Sequence, residues 1–78
     1  MHPLQGHWDT LDKLLRQSLG DVRSQLPANE ANAVGDYIGH NEFGLAFELL
    51  LELLQEHAVA LHATTREKLD EAAVLMAL

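Results

Sequence analysis

The stretch that most restricts the fold is "FGLAFELLLELLQEHA", residues 43 to 58. At about 100° per residue, Phe43, Ala46, Phe47, Leu49, Leu50, Leu51, Leu53 and Leu54 cover more than half of a helix circumference. Glu48, Glu52, Gln55 and Glu56 take the arc that remains. An apolar arc that wide must touch neighbours on two or three sides, so other helices are needed around it.

The rest of the chain offers them. No segment shows the two-residue alternation and β-branched enrichment of a strand, and nearly every apolar residue falls at helical spacing. The expected fold is all-α, a compact four-helix bundle around a central hydrophobic third helix, with residues 1–78 as one domain. A chain of 78 residues without cysteine has neither disulfides nor thiolate metal sites, so its core must carry the folding alone. The missing cysteines also fit a reducing compartment.

A first helix is expected at about 10 to 25, with Leu11, Leu14, Leu15, Ser18, Leu19 and Val22 on one face and Asp12, Lys13, Arg16, Gln17 and Arg23 outside. Thr10 or Asp9 is the expected N-cap, and Trp8 projects onto the side of Leu15 and Leu19 to close the end of the core. Pro27 places a break near 26 to 28, because it lacks an amide proton and biases Leu26 away from helical geometry. A shorter helix at about 28 to 39 sets Ala31, Val34, Tyr37 and Ile38 on a narrow stripe. Gly35 and Gly39 weaken it; their spacing allows a neighbouring backbone to approach, or Gly39 is simply a C-terminal cap. "HNE" opens the third helix, with Asn41 as N-cap and Glu42 placing negative charge at the positive end of the helix dipole. In the fourth, Thr64 and Glu67 have capping-box spacing ahead of Leu69, Ala72, Ala73 and Met76. Val74, Leu75 and Leu78 fall off that face, so the last turn is either buried on several sides or meets another chain, which makes a homo-oligomer an option.

Composition excludes several functions. The chain is 47% hydrophobic and carries a net charge of −7, too apolar for a disordered acidic tail and too acidic for phosphate backbones or anionic membranes. Five Lys and Arg, spread from 13 to 68, form no basic stripe, so nucleic acid is not an expected partner and a basic protein is. The start "MHPLQGHWDT" lacks the pattern of a signal peptide, and the longest apolar run is far short of the roughly 20 residues of a membrane span; a soluble, cytoplasmic protein is expected. Five histidines raise the question of a metal. Yet His40 and Glu42, and His57 and His62, lack the i, i+4 relation of zinc-binding helices, and His57 falls in the apolar arc, where a hydrogen-bonded histidine at a helix end is expected. Ser18 and Ser24 have no nucleophile elbow around them. No catalytic residue, cofactor or metal is therefore expected.

The stretch "GHNEFGLAFELLLELLQEHAVALHATTREKLDEAAVLMAL" resembles the MafI family of small immunity proteins from bacterial polymorphic toxin systems. Asn41, Glu42, Phe43, Gly44, Leu45, Ala46, Glu48 and Leu50 match the pattern "h-N-E-[FW]-G-L-A-x-E-x-L", with Tyr37 upstream at a usual bulky apolar position. The match covers about the C-terminal half; residues 1 to 33 carry no motif of the family. The resemblance implies a cytoplasmic protein that protects its producer by binding a cognate toxin domain, commonly a nuclease. An acidic scaffold suits such a role, because opposite potentials speed encounter with a basic groove and penalise wrong partners. A general helical interaction or dimerisation module without a toxin partner is the alternative.

The partner surface is expected along Glu48, Glu52 and Glu56, extended by Asp36 and His40 on the polar side of the preceding helix. The alternative for the same residues is a solvated polar face.

Overall fold

The structure, a computed structural model, describes residues 3–77 and the side chains of residues 7–77. Four helices follow one another: α1 (Pro3–Val22), α2 (Ala28–Gly39), α3 (Phe43–Glu56) and α4 (Ala63–Leu75), with one 3₁₀ turn (Arg23–Gln25) between α1 and α2. No strand occurs among the described residues, so the chain is an all-α bundle. None of its described helices is long and apolar enough to cross a membrane.

α1 begins a full two turns before the expected start, so Asp9 and Thr10 lie inside the helix and neither is its N-cap. Proline is well suited to open a helix, since its missing amide proton would have had no partner there. The longer helix reaches the far end of the bundle, where His7 Nε2 donates to the Leu75 carbonyl at the last turn of α4. All six residues expected on the inner face of α1 are buried, with Leu15 fully enclosed. Trp8 does not close the core: it is 53% exposed.

α1 packs substantially on each of the other three helices, α2 and α3 pack on each other, and α4 packs chiefly on α1. The core follows from this arrangement. α2 contributes Ala31, Val34 and Ile38; α3 contributes Phe43, Ala46, Phe47, Leu50, Leu53 and Leu54; α4 contributes Leu69 and Ala72; Leu26 plugs the α1–α2 corner. α3 thus brings the largest apolar share and packs chiefly on α2, while α1 is the helix that touches all three others. Because α4 sits on α1, one flank of α3 stays open, and Leu51, expected in the apolar arc, is 42% exposed.

The helix ends differ most from expectation. Asn41 does not cap the start of α3; it ends α2. At φ 59° it adopts the left-handed conformation, its N–H donates to the Ile38 carbonyl at 3.0 Å, and the Glu42 N–H donates to the Tyr37 carbonyl at 2.9 Å. This paired pattern is the Schellman motif, which satisfies the otherwise orphaned carbonyls of a helix end. Glu42 is the N-cap of α3, and its side chain makes no capping bond. Gly39 is not the cap either, since no glycine has a positive φ. Nor does its spacing with Gly35 admit a neighbouring backbone: a Cβ at Gly39 would meet nothing within 4 Å, and one at Gly35 only side-chain atoms of Arg23 and Leu19 at 3.7 and 3.8 Å. α3 closes by the same motif, with Ala58 at φ 48°, its N–H on Gln55 and the Val59 N–H on Leu54. The Thr64–Glu67 capping box does not form, because α4 starts two residues early with His62 at the N-cap and no side-chain capping bond. At the other end Val74 is 75% exposed while Leu75 and Met76 pack against the core; Leu78 lies outside the described residues.

These ends separate two stability effects in urea melts. Ala58→Gly is expected to raise stability by about 1 kcal/mol, because alanine is strained at positive φ and glycine is not. Asn41→Ser, which an N-cap would tolerate, should cost about 1 kcal/mol. Leu50→Ala, at a fully enclosed site, should cost roughly 2 to 5 kcal/mol through the cavity it leaves. A destabilising Ala58→Gly, or a silent Asn41→Ser, would contradict the left-handed helix ends.

Candidate functional site

α2 and α3 form an antiparallel hairpin whose inner sides face α1, so whatever lies opposite Val34, Ile38, Phe47, Leu50 and Leu54 must face outward. On α3 that outward face carries Glu48, Glu52 and Glu56, all exposed. The four-residue spacing aligns them along about two turns of a helix that is anchored on its other side by six buried apolar residues. No lysine or arginine pairs with them among the described residues, where the ion pairs are Arg16–Asp12, Lys68–Asp21 and His57–Glu30. The row is therefore a fixed strip of uncompensated negative charge, with the 48% exposed Leu45 on the same outer face.

Asp36 and His40 are also exposed, on the outward side of α2. No hydrogen bond or ion pair among the described residues joins them to the α3 glutamates. His40 turns back on its own helix instead, with Nδ1 donating to the Asp36 carbonyl at 2.7 Å. The connection the structure does make between the row and α2 runs through Glu30. His57 Nε2 donates to Glu30 Oε2 at 2.9 Å, and ligand-type atoms of Glu30, Glu56 and His57 all lie within 4.8 Å of one another. His57, expected in the apolar arc, is the C-cap of α3 and is exposed. Glu30 was not marked by any local pattern, since it is 27 residues from His57 and meets it only through the hairpin.

A second polar cluster joins α1 to α4. The buried Thr65 hydroxyl donates to Asp21 Oδ2 at 2.8 Å, and Lys68 Nζ donates to the same oxygen at 2.9 Å. The Lys68 hydrogen bond, followed by that of Thr65, holds the Asp21 carboxyl below its ordinary value of 3.8. Lys68 and Asp21 keep 27% and 35% of their side-chain surface in water, so screening makes this clasp a weak contributor that orients α4 more than it stabilises it.

Among the described residues, two hollows can be traced. A cleft of about 160 Å³ between α1 and α2 is lined by Arg16, Leu19, Gly20, Arg23, Gly35 and Ile38. A more open groove of about 420 Å³ lies where the ends of α1 and α4 meet the start of α3, between Trp8, Leu11, Phe43, Leu75 and Met76. Its apolar walls and exposed indole make it a second place where a protein could dock.

Comparison with protein-family models, curated proteins and solved structures found no match for this chain. What the fold defines by itself is a small acidic helical bundle that carries, among its described residues, an acidic helix face and an apolar groove.

The Asp21 clasp has a pH signature. Because folding lowers the Asp21 pKa, its stabilisation is present above the ordinary carboxylate value and is lost as pH falls through the lower folded value. The stability gap between the wild type and Asp21→Asn should thus be constant from neutral pH down to about pH 4 and shrink below it. A gap that widens with acid, measured by urea titration, would contradict the clasp.

Proposed function

We propose that this protein is a non-enzymatic inhibitor, an immunity protein that acts in the cytoplasm of its producer by binding a cognate bacterial toxin domain. The leading candidate for that domain is a nuclease, whose basic substrate groove the acidic face would cover. The observation that carries the proposal is the exposed row Glu48, Glu52 and Glu56, unpaired with any described lysine or arginine, on a helix held rigid by its buried side. A net charge of −7 on 78 residues adds a long-range field of the same sign. Such a field steers a basic partner and raises its association rate, while the fixed spacing of the carboxylates supplies register. The resemblance at "HNEFGLAFE" supports the same role. The Asn41 and Glu42 of that motif act in the structure at the α2–α3 turn, where they set the angle at which the acidic helix is presented.

The apolar groove favours a second possibility, a helical interaction or dimerisation module without a toxin partner. Trp8 at 53% and Val74 at 75% exposure near that end of the bundle are the specific observations behind it. Sedimentation separates the two: a mass that rises with concentration and falls back in Trp8→Ala supports the module.

The inhibitor role predicts that co-expression with the toxin encoded beside this gene abolishes toxicity and that the two products co-purify. Replacing Glu48, Glu52 and Glu56 together with lysine should leave helicity and melting nearly unchanged, because exposed like charges on a helix contribute only about 0.2–0.5 kcal/mol per pair. The triple variant should bind the toxin more weakly, associate more slowly, and lose most of its sensitivity to salt. Unchanged affinity and salt dependence in the folded variant would return the row to a solvated face.

A further inference from the structure

We infer that Glu30, Glu56 and His57 form a binding site for a divalent transition-metal ion, with Zn²⁺ the best fit, that ties the first turn of α2 to the end of α3. The donor set is one imidazole and two carboxylates, whose candidate ligand atoms all lie within 4.8 Å of one another. Tetrahedral Zn²⁺ with bonds of about 2.0–2.2 Å places its ligands roughly 3.3 Å apart. The His57–Glu30 contact of 2.9 Å is already close to that spacing, and the exposed Glu56 needs only a side-chain adjustment to complete it. Imidazole selects Zn²⁺ and its neighbours over Mg²⁺ and Ca²⁺, which prefer all-oxygen shells. Three protein ligands leave a fourth position for water.

Electrostatics points the same way. Two carboxylates are brought together here, and among the described residues no lysine or arginine forms an ion pair with either. The cluster sits where the C-terminus of α3 meets the first turn of α2, so the two helix dipoles oppose each other there and the charge of the carboxylates themselves dominates. A cation relieves their repulsion. The backbone under His57 is fixed as well: its N–H donates to the Leu53 carbonyl, and the two following residues close the Schellman turn. Two of the three ligands are thereby presented by a rigid helix end, and the third comes from an adjacent helix in the same packed hairpin. Little ordering remains for the ion to impose.

The test uses the isolated full chain, so its outcome is independent of the toxin. Titration calorimetry with ZnCl₂ in a non-chelating buffer should give one ion per chain, and Zn²⁺ should raise the melting temperature. His57→Asn and Glu30→Gln should each weaken binding by about tenfold or more, Glu56→Gln should weaken it too, and His40→Asn and His62→Asn should leave it unchanged. Imidazole ¹⁵N spectra should show the His57 Nε2 resonance shifting as the ion is added. All five side chains are at least partly exposed, so the variants keep the fold, which circular dichroism verifies. Absence of binding at millimolar Zn²⁺, or binding that survives His57→Asn or depends on His40 or His62 instead, would overturn the site.

Discussion

Closure of one shared core, in which the α2–α3 hairpin meets the α1–α4 pair, is the constraint on which the rest of the structure depends. Leu15 of α1 and Leu50 of α3 have no exposed surface, and with Leu11, Leu19, Phe47 and Leu54 they belong to the core that α2 and α4 complete from either side. At roughly 1.5–3 kcal/mol for each fully buried large apolar side chain, loss of this shared core would remove most of the favourable term in a domain of this size. The polar contacts are small beside it. They fix orientation instead: Thr65 and Lys68 on Asp21 set α4 along α1, Arg23 on Asn32 sets α2 against the end of α1, and Glu30 on His57 closes the α2–α3 hairpin.

The inner faces were legible because hydrophobic periodicity reports packing directly. All six positions named on α1 are buried, as are Ala31, Val34 and Ile38 on α2, and α2 begins after Pro27. The helix ends were not, for a physical reason visible at Asn41. Asparagine is favoured both at an N-cap and in the left-handed position after a helix, and with only Glu42 between Asn41 and the start of α3 the same letters serve either grammar. The Thr64–Glu67 spacing failed similarly: once the helix starts at Ala63, the threonine no longer occupies the capping position. Neighbouring Thr65 turns to Asp21, 44 residues away, a contact no local pattern can announce.

The candidate site divides along the same line. That Glu48, Glu52 and Glu56 face outward follows from a single helix and its apolar arc, and the structure agrees. Which residues of α2 lie beside them depends on how two helices are set against each other. Sequence offered Asp36 and His40 as an extension of the row; the contact the structure makes across the hairpin is Glu30 with His57, beside Glu56. The groove at Trp8 and Met76 was likewise hidden, because it exists only once α1 extends back over His7 and Trp8 and meets α4. The molecule thus presents two surfaces of opposite character, a charged helix face and an apolar groove, on one small scaffold.

The central claim is that leucines on α3 build the bundle while the glutamates on its far side meet a basic partner. The most direct measurement is an NMR titration of the ¹⁵N-labelled protein with the product of the neighbouring gene, which the proposed role takes to be its toxin. The account predicts shifts concentrated on the α3 residues around Glu48, Glu52 and Glu56, weakening together as salt is raised, with buried residues little affected. Shifts centred instead on Trp8, Leu11, Gly44 and Met76, insensitive to salt, would contradict it and place binding in the apolar groove.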